Sequence, residues 1–267
     1  MTTFKKALIT GCGRGIGAAV ARELAARSIE LVAINRSRGT TEKLIESLGN
    51  SIKVTPYYID VTEFEALDLL LAQVCDEHRD IDLVVLNAGL DLPQRIGAFD
   101  WRIAKRQIDT NLTANYVFAA RLLPQLLARG TGRFAVVSSV GSFAGCPYEH
   151  AYNASKAGAR MMIDGLRAEL LDTPVGITGI YPGFVATDMI AGNAFDSSAA
   201  ISVEEAGRLI VEGLLRGDDE IIFPAEMGQL VAQVVMLSPT ERANAVRQLM
   251  NNDFGDVTDP SRGRNTT

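Results

Sequence analysis

Short apolar runs alternate with stretches of helical periodicity along most of this chain. Residues 5–10 (KKALIT), 29–34 (IELVAI) and 52–59, and then DLVVLNAG, RFAVVSS, GITGIYPG and EIIFP, are rich in adjacent apolar positions, as strands covered on both faces are. Between them lie AAVARELAAR behind a glycine turn, residues 41–48, a segment from Thr62 to about His78, a long region from about Trp101 to Leu127, residues 151–171, and a segment from Ser202 to about Arg216, all read as helices. Two of these helices start with the residues of a capping box, Thr62 with Glu65 and Ser202 with Glu205. Strands and helices in alternation predict an α/β fold, a doubly wound parallel sheet in three α/β/α layers.

The pattern continues beyond the last strand. Met227, Leu230, Val231, Val234 and Val235 fall at helical spacing within 226–237, and Ser238-Pro239-Thr240-Glu241 opens one more amphipathic helix. Extra C-terminal amphipathic helices are therefore expected over about 225–251, able to form a subunit interface, a lid over a pocket or a cover for the sheet edge. No linker rich in Pro, Gly or Ser divides the chain, so residues 1–252 are expected to form one domain, with a polar loop at about 184–201 and a fraying tail at 253–267.

Composition narrows the function. With 267 residues, of which 47% are hydrophobic, the chain can bury a substantial core. A net charge of −6 without any basic run argues against nucleic acid. No apolar run is long enough to span a membrane, and the start lacks the flanks of a signal peptide. The three cysteines, at 12, 75 and 146, have neither pairing parity nor metal-ligand spacing, so a reduced, cytoplasmic setting and no metal are expected. His78 and His150 are the only histidines, and neither sits in a recognisable hydrolase setting.

Two constellations carry chemistry. The first is Tyr152 with Lys156 four residues on, which a helix stacks on one face. At about 4 Å and an effective dielectric near 20, an ammonium acts on a phenolate with roughly 4 kcal/mol, or about three pKa units. A tyrosine so placed exchanges protons near neutrality. The second is Thr10-Gly11-Cys12-Gly13-Arg14-Gly15-Ile16-Gly17, lying between the first strand and the first helix, where glycines let backbone N–H groups approach a pyrophosphate. About twenty residues further on, the second strand ends at Asn35-Arg36, with no acid there to take a ribose hydroxyl. Arg36 and Arg14 suit a 2′-phosphate, which neutral Asn35 does not repel, so NADP(H) is expected over NAD(H).

Together these motifs resemble the short-chain dehydrogenase/reductase superfamily, in its single-domain branch marked by TGxxxGxG and YxxxK. The resemblance spans roughly residues 5–190 and implies a Rossmann-type fold. It makes Gly11, Gly15 and Gly17 the glycines of the cofactor loop, and likens Asp60-Val61 to the adenine-binding segment and Asn87-Ala88-Gly89 to the turn beside the cofactor. It likens Pro182, Gly183, Val185 and Thr187 to the segment that contacts the nicotinamide carboxamide. It implies a catalytic set of Asn111, Ser139, Tyr152 and Lys156, with Asn111 holding a water that links Lys156 to solvent. Ser138, next to Ser139 on the strand, is expected to face the other way.

The expected partner is a small carbonyl or alcohol compound, and the expected assembly a homodimer or homotetramer. Phe143, Pro147, Tyr148, Leu90, Leu92, Pro93, Phe184, Met189 and Phe195 predict an apolar pocket for a medium-sized ketone or aldehyde, or else serve as loop anchors and core. Cys146 reads as a small buried filler that could touch substrate. An NADP-sensing regulator or scaffold without turnover is the alternative. A nucleotide-sugar epimerase or dehydratase would need a larger C-terminal domain than the residues after Gly183 provide.

Overall fold

A computed structural model describes residues 3–190 and 198–249 of the chain. Seven parallel strands form one sheet: β1 (Lys6–Thr10), β2 (Glu30–Asn35), β3 (Val54–Tyr58), β4 (Leu83–Leu86), β5 (Gly132–Val137), β6 (Val175–Pro182) and β7 (Glu220–Phe223). Their spatial order is β3-β2-β1-β4-β5-β6-β7. The chain steps outward from β1 to β2 and β3, then returns to place β4 on the other side of β1. The loops leaving β1 and β4 therefore diverge and leave a crevice between them, where open α/β sheets bind ligands.

Side-chain alternation in the strands feeds two separate cores. Ala7, Ile9, Leu31, Ala33, Leu83 and Val85 face one side, where they meet α1 (Gly15–Ala25), α2 (Arg38–Leu48) and α7 (Val203–Arg216). Leu8, Val32, Ile34, Val84, Leu86 and Phe134 face the other. There they meet α3 (Phe64–Glu77), α5 (Ala114–Arg129) and α6 (His150–Glu169). Burial on both faces explains why the strands lack polar alternation. Pro56 lies in β3, an edge strand, where a missing N–H costs no internal ladder bond.

Several local expectations are corrected. Thr62 does not cap α3: its hydroxyl and its N–H both donate to Oδ1 of Asp60, at 2.8 and 3.1 Å, and the helix starts at Phe64. The nearer carboxylate takes the hydroxyl that a capping box would have used. At Ser202 only half of the box forms, the hydroxyl accepting from Glu205 N–H at 3.1 Å while the Glu205 carboxylate turns to Arg208. Ser238 and Glu241 form the complete box at the start of α9 (Pro239–Gln248). The long helix after Trp101 is divided into α4 (Trp101–Ile108), a π-helical turn over Asp109–Thr113, and α5. The 225–251 region holds α8 (Ala225–Val234) and α9. Phe195 and the 253–267 tail lie outside the described residues.

Helix α1 hangs from the glycine loop and is held from outside by α7. A Cβ at Gly207 would come within 2.7 Å of Ala19 Cβ and 2.8 Å of Ala19 C, so the two helices touch backbone to backbone. Replacing Gly207 with Val is expected to lower stability by about 1–3 kcal/mol through overpacking, and the thermal midpoint by about 2–10 °C. A thermal melt equal to that of the wild type would contradict this contact.

Candidate active site

The glycine loop folds under two local constraints. Gly11 and Gly15 have φ values of 65° and 56°, the left-handed region that a side chain disfavours. A Cβ on Gly11 would lie 2.9 Å from Ala88 Cα, and one on Gly17 would overlap the Gly11 carbonyl and the Asn87 amide. Asn87 ties the two loops together, its Nδ2 donating to the carbonyls of Thr10 and Gly11 at 3.2 and 3.1 Å. The Thr10 hydroxyl accepts from the N–H groups of Asn87 and Ala88, both at 2.9 Å. Thr10, Gly17 and Asn87 thus build the bend, and Gly11, Arg14, Gly15 and Ile16 line the cleft it opens.

That cleft, of about 490 Å³, runs from the β2 end to the β6 end of the crevice. It is lined by Asn35, Arg36, Asp60, Val61, Ala88, Gly89, Ser139, Tyr152, Lys156, Pro182, Gly183, Val185 and Thr187. Ser37 and Thr40, at the start of α2, also line it next to Arg36 and were not anticipated, because α2 begins at Arg38 rather than Thr41. Both arginines at the rim have carboxylate partners: Arg36 bonds Asp60 at 3.3 Å, and Arg14 bonds Asp188 at 3.2 Å. These are exposed, weakly held pairs. Burial pushes the Asp60 carboxyl up, but hydrogen bonds from Thr62 and the Arg36 guanidinium outweigh it and hold the pKa below the ordinary value. Asn35 is buried, and its amide donates to Cys12 Sγ at 3.1 Å instead of facing the rim.

Asn111 lies in the π-helical turn between α4 and α5, 1% exposed and behind the cleft wall. Its Oδ1 accepts from Leu90 N–H at 2.8 Å. Its Nδ2 donates to Leu90 O at 2.8 Å and to Ser155 Oγ at 2.9 Å. Wide turns of this kind re-aim a side chain within a helix, here toward the loop after β4 and toward α6. A Cβ on Gly89 would meet Lys156 Nζ at 3.4 Å and Asn111 Oδ1 at 3.5 Å, so both groups close on one glycine.

Ser139 ends the extended run after β5, and its hydroxyl oxygen accepts from Gly141 N–H at 3.0 Å. Ser138 faces away, its hydroxyl donating to Lys156 O at 2.8 Å. Lys156 is 4% exposed, and Nζ donates to Val137 O at 2.8 Å while lying 5.8 Å from the centre of the Tyr152 ring. The expected lowering of the tyrosine pKa by this ammonium is not what the geometry gives. Burial, and then the nearby Asp91 charge, push the phenol well above its ordinary range, with only the Ser139 hydroxyl acting the other way. Burial likewise pulls Lys156 down from 10.5 to about 8, against the pull of Asp91. Desolvation of both groups thus dominates their mutual attraction.

Beyond Tyr152 a second cavity of about 460 Å³ opens, sharing Ser139, Tyr152, Gly183, Met189 and Ile190 with the cleft. Phe143, Phe184, Met189 and Cys146 line it. Leu90 lines the cleft instead, while Pro147, Tyr148, Leu92 and Pro93 line neither space. The outer wall comes from the C-terminal helices, through Met227, Leu230, Val231 and Val234 of α8 and Val246 of α9. Helix α8 lies over the cavity and also packs on the edge strand β7. Asp91 and Glu149 on the cavity wall escaped sequence reasoning, since each is a single acid in a loop with no periodicity around it.

The short chain dehydrogenase family pattern matches residues 5–196, and the chain belongs to that family. An oxidoreductase of Myxococcus xanthus is 33% identical over 226 residues, which cover 84% of this chain and 89% of that protein. A short chain dehydrogenase from Burkholderia cenocepacia, solved in complex with NADP, is 26% identical with a TM-score of 0.77, covering 91% of this chain and 97% of its own. A short chain dehydrogenase/reductase from Burkholderia phymatum, solved with NAD, shares the fold with a TM-score of 0.78 at 18% identity, covering 86% and 92%. The chain is therefore an oxidoreductase of nicotinamide-dependent type, acting on carbonyl or alcohol groups. No described helix is long and apolar enough to cross a membrane.

The buried Lys156 makes a prediction about the cofactor-free protein. Below about pH 8 the ammonium is charged in both folded and unfolded chains, and the folded state bears its full desolvation cost. Between about 8 and 10.5 the folded chain releases the proton while the unfolded chain keeps it, so stability rises with pH by an amount on the order of a few kcal/mol. Lys156→Met is expected to remove that rise. Urea midpoints across this window, taken as the difference between wild type and variant, test it, and parallel curves would refute it.

Proposed function

We propose that the protein is an NADP(H)-dependent reductase of medium-sized, largely apolar ketones or aldehydes, with Asn111, Ser139, Tyr152 and Lys156 as its working set. The observation that carries this reading is that Ser139 and Tyr152 line both the long cleft and the apolar cavity, so a substrate oxygen in the cavity reaches them where the two spaces join. The residues of the cleft fit a dinucleotide: glycines that admit no Cβ at its floor, backbone N–H groups at the start of α1, and two arginines at its rim. A bound nicotinamide supplies the hydride in the reducing direction and accepts it in the other.

The chain supplies position and the proton. Tyr152 donates its phenolic proton to the oxygen of the reacting carbonyl as charge develops there, and Ser139 donates a hydrogen bond to the same oxygen. A phenol held above its ordinary pKa by burial keeps its proton at neutral pH, which suits the reducing direction. Lys156, on the same face of α6 with Nζ 5.8 Å from the Tyr152 ring centre, would stabilise the phenolate left behind and hydrogen-bond the nicotinamide ribose. Asn111, bonded to Leu90 and Ser155, holds the loop after β4 against α6 and so keeps Lys156 and Tyr152 at one wall. Preference for NADP(H) rests on Arg36 and Arg14, with Ser37 and Thr40 beside Arg36. A 2′-phosphate replaces Asp60 and Asp188 as the partner of the two guanidiniums.

Tyr152→Phe is expected to lower kcat by about 10²–10⁴-fold while NADPH affinity stays nearly intact; substantial surviving turnover would remove Tyr152 as the proton donor. Arg36→Ala is expected to lower kcat/KM for NADPH by about ten- to a hundredfold with little change for NADH. An unchanged ratio between the two cofactors would show that Arg36 does not read the phosphate.

A further inference from the structure

The cavity beyond Tyr152 is apolar on most of its walls, yet two carboxyl groups line it: Asp91, just after the β4 turn, and Glu149, at the start of α6. Oδ1 of Asp91 is buried and accepts no hydrogen bond. Among the described residues neither carboxyl has an arginine, lysine or histidine as an ion-pair partner. Lys156 is the cation whose field reaches Asp91, and its Nζ is bound to Val137 O. Tyr152 and Cys146 are the other titratable groups facing the pair, and neither contributes positive charge. Two carboxylates against one ammonium leave an excess of one negative charge.

An apolar wall holds such a charge only by taking up a proton or a cation. Burial pushes Asp91 up to about 7 against the pull of Lys156, and burial with the charge of Asp91 pushes Glu149 up to about 8. With nothing bound, protons therefore occupy the pair near neutrality, and a bound monocation displaces them.

We propose that Asp91 and Glu149 form a specificity-determining polar subsite of this cavity and select a substrate carrying one protonated amine near its reacting carbonyl or carbinol. This rests on the cavity being the substrate pocket and on Tyr152 as its proton donor. A monocation offsets the excess charge, whereas a hydroxyl leaves it and a carboxylate adds to the repulsion. The apolar walls from α8 and α9 take the rest of the molecule.

The test uses three ketones of one skeleton with an amine, a hydroxyl or a methyl group at the same carbon, assayed with NADPH on the wild type, Asp91→Asn, Glu149→Gln and the double variant. The wild type is expected to favour the amine over the methyl compound by about ten- to a hundredfold in kcat/KM at pH 8. That preference shrinks as the pH falls below about 7 and the carboxyls take up protons. Each substitution reduces the ratio, and the double variant brings it close to unity. A wild-type enzyme that turns over the methyl or hydroxyl compound as well as the amine overturns the subsite while leaving the carbonyl reductase reading standing. An amine preference that survives the double variant also overturns it. No turnover in any of the three series removes the pocket assignment itself, and the wild-type comparison decides even where a variant fails to fold.

Discussion

The close approach of the β1 and β4 turns is the constraint on which the rest of this structure depends. Gly11 can pass Ala88, and Gly17 can pass the Gly11 carbonyl, only because neither has a Cβ. Asn87 and Thr10 then convert that proximity into fixed hydrogen bonds. One side of the crevice becomes a backbone surface facing inward from the start of α1, and the other becomes the loop that carries Leu90 and Asp91. Any larger residue at the contact would part the two loops and shift both the cleft and the cavity wall together.

The second half of the site is fixed by a different device. Tyr152 and Lys156 share a face of α6, and that helix is held by bonds to both neighbouring segments: Ser138 reaches the Lys156 carbonyl, and Asn111 reaches Ser155. Ser155 in turn donates to the Tyr152 carbonyl at 2.7 Å. The π-helical turn matters because a regular helix from Trp101 to Arg129 would place Asn111 at another angle, and Leu90 would lose both of its bonds to it. In the proposed mechanism, rigid elements on both sides of the reacting position would lower the reorganisation that proton transfer needs.

What the sequence makes legible and what it hides divide along physical lines. Strands buried on both faces, glycines at a turn, and a Tyr and Lys one helical turn apart are set by short-range sterics and periodicity, so their placement follows from the residues themselves. Competition between partners does not. Thr62 had acidic residues on both sides of it, and Asp60 took it; Glu205 had Ser202 and Arg208, and divided between them. The carboxylate partners of Arg14 and Arg36 come from other segments, and spacing carries no trace of them. Asp91 and Glu149 stand 58 positions apart and meet only because β4 and α6 border the same cavity.

The electrostatics of the site follow from its dryness more than from its charge pairs. A tyrosine and a lysine four apart would be expected to draw together a phenolate and an ammonium. In this structure burial favours the neutral form of each, raising one pKa and lowering the other. The two shifts have opposite signs in pH but one meaning: the resting site resists charge. In the proposed mechanism, charge developing at the substrate oxygen would arise in a low-dielectric setting, where the Ser139 hydroxyl and the Lys156 ammonium act on it more strongly than they would in water. On that proposal, the burial that makes Lys156 costly to hold in the folded chain would also make it effective on the phenolate left when Tyr152 gives up its proton.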